Sequence, residues 1–192
     1  MTFQRGRLSA AAAFAAGLLM SGQPAAAQQT PQMPTVTDVH ETGSWAVRCY
    51  SAGPFPCDIS QASFIRGKNI RIANISITIL PQTGQYYGRF VVPYGVSFSE
   101  GLTLTLGEFI SPHLKFRRCE RDGCYVEGIL PPAMIAALSL PDLKGAMSIV
   151  FVDGRKLDIP VAVNGFAAGL TLLKQKIAEH PTGGAERSRA AH

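Results

Sequence analysis

The chain has 192 residues, of which 16% are charged and 46% hydrophobic, with a formal net charge of +5 and four cysteines. That length suits one domain with a real core and is too short for two comfortable ones. With no dense basic run and no aromatic stacking pattern, the weak positive balance argues against nucleic acid as a partner.

Residues 1–27 follow the plan of a secretory signal peptide. Arg5 and Arg7 give a positive start, Leu8 to Met20 form an alanine-rich apolar run, and Ala25-Ala26-Ala27 offers an A-x-A cleavage site. The run falls short of the roughly 20 residues a membrane span needs, and no second run of that length follows, so the mature chain is expected to be soluble, without a transmembrane segment. Neither a twin arginine nor a cysteine at the cleavage point is present. Sec-type release into the periplasm, with secretion or surface association beyond it, is the expected route. Removal of Arg5 and Arg7 lowers the formal charge from +5 to +3.

Residues 28–41, rich in Gln, Thr and Pro, read as a mobile leader, and 180–192 read as a disordered tail. Between them, 42–179 form the expected domain. Its dominant period is two. Trp45 to Tyr50, Asn69 to Ile79 and Tyr87 to Val92 alternate or run with β-branched and aromatic residues, which predicts strands. The step from Ile72 to Ile75 breaks the alternation, and a bulge near Ala73 and Asn74 would restore one buried face. Further strands are predicted at Leu102 to Leu106, Leu114 to Cys119, Tyr125 to Leu130, Met147 to Val152 and Lys156 to Val161. Asp153-Gly154 between the last two reads as a two-residue hairpin turn. Pro131 to Leu138 predicts a short helix with Met134, Ile135 and Leu138 on one face. A second helix is expected after Asn164 as N-cap, with Phe166, Leu170, Leu173 and Ile177 as its stripe and Lys174 and Lys176 near its carboxyl end. Many short strands with few helices predict an all-β sandwich.

The cysteines fall in two close pairs, Cys49 with Cys57 and Cys119 with Cys124. Their spacings, C-x7-C and C-x4-C, and the scattering of His40, His113, His180 and His192 do not make a zinc site, so no metal is expected. Neither pair is the C-x-x-C of an oxidoreductase at a helix start. An exported chain keeps disulfides. Four cysteines allow three connectivities, of which local pairing is the expectation because each pair brackets a reversal: Glu120 to Gly123 in one, Gly53, Pro54 and Pro56 in the other. Trp45 is expected to fill the core near the first bridge.

The order Trp45-Ala-Val-Arg-Cys49, Cys57, Val91-Val-Pro93-Tyr-Gly-Val96, Gly101-Leu-Thr-Leu, Cys119 to Gly123-Cys124 and Pro160-Val-Ala-Val-Asn-Gly-Phe166 before an apolar helix resembles the invasion-associated locus B family of secreted alphaproteobacterial proteins. The resemblance implies an Ig-like β-sandwich and a periplasmic or surface-associated location. The expected fold is thus an Ig-like β-sandwich stapled by two disulfides, with one short helix and a C-terminal helix.

A search for chemistry yields no catalytic constellation. Ser44 lies near His40 and Asp38, but Gly-Ser-Trp is not a nucleophile elbow. Glu120, Asp122 and Glu127 cluster near one hairpin, interleaved with Arg117, Arg118 and Arg121, which favours surface ion pairs. His113 reads as a satisfied or solvated side chain. No dense acidic ladder suggests calcium, and no glycine motif suggests a phosphate cofactor. The reading is a non-enzymatic exported binding or adaptor module whose partner is an unidentified envelope or host protein, with oligomeric state left open. Two alternatives stand beside it: a small envelope hydrolase using Glu120, Asp122 and Glu127, and a structural envelope stress-tolerance protein.

Overall fold

The computed structural model describes residues 34–179. The signal at 1–27, the first part of the leader, the tail at 180–192 and with it His180 and His192 lie outside the described residues. Eleven strands and two helices are formed within them, in two antiparallel sheets.

The first strand, β1 (Val36–Thr42), corrects the leader, whose last residues belong to the sheet. Its inward positions are the half-buried Asp38, His40 and Thr42 rather than apolar residues. Asp38 is satisfied by His40 and by Lys176, whose Nζ lies 2.9 Å from Asp38 Oδ2, and the Thr42 hydroxyl donates to Trp45 O at 3.4 Å. A polar inner row hides a strand from a search for alternating hydrophobicity. The Gly43-Ser44 turn leads into β2 (Trp45–Tyr50), followed by β3 (Cys57–Phe64), β4 (Arg71–Ile79) and β5 (Tyr86–Val92). These five pair in sequence order, and β9 (Gly123–Ile129) and β8 (Phe116–Glu120) complete the larger sheet as β1-β2-β3-β4-β5-β9-β8. The smaller sheet runs β11 (Lys156–Ala162), β10 (Lys144–Val150), β6 (Leu102–Leu106), β7 (Phe109–Ile110). The stapled sandwich is as the sequence implies. Its larger sheet starts as a five-strand meander, so its kinship to an immunoglobulin domain lies in the layering rather than in strand order.

In β4 the irregular step falls opposite Ser63 and Phe64, at Ile72, one residue before the position expected. Beyond it Ala73, Ile75 and Ile77 are buried in strict alternation, and Ile70 stays outside, exposed. The Asp153 hairpin is also built differently. Phe151 N–H donates to Arg155 O and Gly154 N–H to Phe151 O, which leaves three loop residues, with Gly154 at φ 83°. This is a type I turn closed by a left-handed glycine, the common three-residue hairpin.

The core lies between the sheets. Trp45, Val47, Ile59, Ile75, Ile77, Phe90 and Val126 from the larger one meet Leu102, Leu104, Met147, Ile149 and Ile159 from the smaller. Gln61, buried, stitches the layers: its Nε2 donates to Ala162 O at 3.0 Å and its Oε1 accepts from Ala162 N–H at 3.0 Å. Helix α1 (Pro132–Leu138) begins on Pro132, where a missing N–H costs nothing, and buries Met134, Ile135, Ala137 and Leu138. Helix α2 (Phe166–Glu179) lays Phe166, Leu170 and Leu173 into the core with Ile177 half-buried. Trp45 is 1% exposed, donates from Nε1 to Ala162 O at 2.8 Å and meets the Phe166 ring edge-on at 4.9 Å. Asn164 does not cap α2. Its Oδ1 accepts from Ser44 Oγ at 2.6 Å, and Gly165 makes the entry at φ 86°, where a Cβ would sit 1.7 Å from Thr42 O.

Both disulfides are local. Cys49 bridges Cys57 across β2 and β3, and Cys119 bridges Cys124 across β8 and β9, each between residues directly opposed in the ladder. The first is enclosed in the core, and the second sits at a hairpin end with Cys119 exposed.

Candidate functional site

The alternation that sends Cys57 and Ile59 inward sends Asp58 and Ser60 to the other face of the larger sheet. There the ladder registers assemble a polar surface from five strands. Arg48 stands opposite Asp58, and Ser60, Ser76, Arg89 and Glu127 form one row across β3, β4, β5 and β9. Two adjoining clefts open on this surface, of about 210 and 160 Å³, divided by a shared wall of Tyr50, Asp58, Ser76 and Arg89. Phe55 and Tyr87, with ring centroids 5.5 Å apart, line the larger. Arg48, Ser60 and Arg71 line the smaller.

Asp58 is the pivot. Its Oδ2 accepts from Tyr50 OH at 3.0 Å and from Ser76 Oγ at 2.5 Å. Its Oδ1 and the Ser60 hydroxyl are buried with no hydrogen-bond partner among the described residues. Burial pushes the Asp58 carboxyl above the usual range, against the pull of the Ser76 and Tyr50 hydrogen bonds and of the Arg48 and Arg89 charges. Tyr50 is pushed up to about 12 by burial and by the neighbouring Asp58 charge.

Beside the clefts runs a ladder of alternating charge. Arg89 Nε donates to Glu127 Oε1 at 2.7 Å, and Arg118 donates to both Glu127 and Glu120. Burial works to raise the Glu127 carboxyl, but the hydrogen bonds from Arg118 and Arg89 outweigh it and hold the group below its ordinary range. Arg118 also stacks 4.4 Å from the Tyr125 ring centroid, and Tyr125 OH donates to Asp122.

The structure therefore brings the acids of the sequence cluster into ion pairs and hydrogen bonds, with Glu127 fixed as a carboxylate. The Ser44, His40 and Asp38 group does not assemble as a triad. His40 Nε2 meets Asp38 Oδ2 at 2.9 Å, but the Ser44 hydroxyl donates to Asn164. His113 Nδ1 donates to Glu100 O at 2.7 Å. Among the described residues no group of three or more His, Cys, Asp or Glu could hold a metal ion. Sequence reasoning missed Arg48, Tyr50, Asp58, Ser60, Arg71, Ser76 and Arg89, most of which alternate with core residues along β2 to β5. The available signal was Asp58 itself, an acid set between Cys57 and Ile59 in a segment too apolar to be loop.

A family model described as Invasion associated locus B (IalB) protein matches residues 45–174. The chain belongs to the invasion associated locus B family. The match runs from the first residue of β2 into α2 and contains both disulfides and nearly the whole cleft wall. A crystal structure of invasion associated protein B from Bartonella henselae is similar, with a TM-score of 0.61 and 23% identity over 76% of this chain and 100% of that one. At that identity the likeness to this family relative is one of fold. No curated protein sequence matches the chain. Among the described residues no helix is long and apolar enough to cross a membrane.

Proposed function

We propose that this protein is an exported, non-enzymatic binding module of the cell envelope that engages a protein partner through the clefts on the outer face of its larger sheet. The observation that carries this reading is the pair of buried groups, Asp58 Oδ1 and Ser60 Oγ, without partners beside an arginine-lined opening. Buried polar groups are nearly always hydrogen-bonded, and leaving them unpaired costs stability that folding alone does not recover. Arg48 and Arg71 make no ion pair among the described residues and are available as fork-shaped donors to a carboxylate. Phe55 and Tyr87 add the aromatic walls that anchor bound side chains.

Two further observations support it. Both disulfides suit a compartment beyond the cytosolic reductants. The acids that a hydrolase would need are engaged by arginines and a tyrosine. The solved relative is named for invasion, which supports looking for the partner on a host surface as well as in the envelope.

A photo-crosslinking residue at Tyr87, compared with one at the exposed Lys156 of the other sheet, tests the reading in the native envelope. Adducts with a defined protein from position 87 and none from 156 are expected. Equal labelling from both faces, or turnover of a substrate by the purified chain, would overturn it.

A further inference from the structure

We infer that the hairpin tip at residues 64–71, between β3 and β4, docks this protein on an anionic lipid surface. The tip is the sequence Phe-Ile-Arg-Gly-Lys-Asn-Ile-Arg, and all eight residues are exposed. A turn closes it: Lys68 N–H donates to Ile65 O at 2.9 Å around Gly67, and Ile65 N–H donates to Ile70 O at 2.9 Å. The turn is thus ordered by its own backbone, and nothing lies within 4 Å of where a Gly67 side chain would point. It projects into solvent.

Its chemistry differs from that of the other hairpin ends. Phe64, Ile65 and Ile70 are 51%, 39% and 53% exposed, although each is a residue that folding normally covers. Arg66, Lys68 and Arg71 stand among them with no ion pair between the described residues. From Ile59 to Ser99 the chain contains no aspartate or glutamate at all. The Cys119 hairpin, by contrast, carries Glu120 and Asp122, the Asp153 turn carries an acid paired to Arg155, and the turn after Ile79 is uncharged. Apolar side chains ringed by cations match the interface of an anionic bilayer: the cations meet headgroup phosphates while Phe64, Ile65 and Ile70 enter the acyl boundary. Lipid is favoured over an acidic protein groove because the three apolar residues and three cations lie on a narrow projecting tip without a concave or extended face to complement.

This site is separate from the cleft proposal except for Arg71, which borders both, so the test leaves Arg71 intact. The oxidised chain is sedimented with phosphatidylglycerol vesicles and with phosphatidylcholine vesicles, at low and high salt. Binding to the anionic vesicles alone, weakened by salt, is expected. Arg66→Glu with Lys68→Glu should lower the partition by more than about twentyfold, each cation being worth about fivefold near such a surface. Phe64→Ser with Ile70→Ser should lower it by about tenfold at unchanged charge. Near-ultraviolet circular dichroism of Trp45 checks that both variants remain folded. Equal binding of wild type and variants, or no binding of the wild type to anionic vesicles, would overturn the inference. So would a change in monomer–dimer distribution in place of vesicle binding, which would make the tip an interface between copies. Crosslinks from position 87 are unaffected by any of these outcomes.

Discussion

The two faces of the larger sheet are made by the same strands under opposite rules. On the inner face, Cys57, Ile59, Ile75, Ile77 and Phe90 are almost fully buried and apolar and belong to one hydrophobic cluster with the first disulfide. One residue along each strand, the outer face carries the half-buried Asp58 and Ser76, the buried Ser60 and the exposed Arg89, with polar bonds that are incomplete. The inner face is what stability selects. The outer face holds a buried acid and an unpaired hydroxyl that stability alone would remove, and this contrast is the physical basis for placing binding there.

The contrast can be broken by substitution. Phe90→Ala on the inner face should cost about 3 to 5 kcal/mol in denaturant unfolding, since it removes a large side chain from a packed core. Replacing Cys49 and Cys57 together by alanine should cost about 2 to 4 kcal/mol, because the bridge closes a loop and its sulfurs are packed inside. A cost near zero for either would mean that the inner face is not the tight core described.

Outer-face changes should be smaller and should differ in their pH dependence. Glu127→Gln is expected to cost only about 1 kcal/mol at neutral pH, because Arg89 and Arg118 are both about half exposed and water screens the pairs. The Glu127 carboxyl lies below its ordinary 4.5 in the folded protein, so its contribution is present above that value and is lost as pH falls through the lowered one. The variant should therefore lose less stability on acidification than the wild type. Asp58→Asn should have the opposite sign and the least effect on stability. Because burial raises the Asp58 carboxyl above 3.8 in the folded state, its favourable term is complete below 3.8 and disappears as pH rises through the raised value. The amide should flatten that decline and leave the protein as stable as the wild type, or more so, at neutral pH. Marked destabilisation at neutral pH would show Asp58 to be a structural ion and contradict the contrast.

The difference between the faces also explains what the sequence makes legible. Strands β2 and β6 are visible to the residue, and α1 nearly so, because an apolar period and proline chemistry are local properties of Trp45 to Tyr50, Leu102 to Leu106 and Pro131 to Leu138. The disulfide pairing is readable for the same reason, each pair flanking a short reversal. Strand β1 is not, since Asp38 and His40 occupy its inward positions and the Lys176 that pairs with Asp38 is more than a hundred residues away. The cleft is the least legible feature. Its wall joins residues from β2 to β5 through ladder registers, and neither Tyr50 with Ser76 nor Arg48 with Arg89 is adjacent in any local window. The acids that are adjacent, Glu120, Asp122 and Glu127, draw attention in the sequence but are already engaged in the fold, the two glutamates by Arg118 and Asp122 by the Tyr125 hydroxyl.

The central claim is that the outer face binds and the inner face folds, and capture of envelope protein by the double variant Arg48→Gln, Arg89→Gln tests it most directly when stability is measured on the same sample. Both side chains lie outside the core and the amides set no like charge opposite Glu127 or Asp58, so stability should change by about 1 kcal/mol, from loss of the half-exposed Arg89–Glu127 pair. The account expects capture to fall by more than about tenfold, as for loss of charge-assisted donors at a binding site. Capture equal to wild type from a variant that remains folded would contradict it.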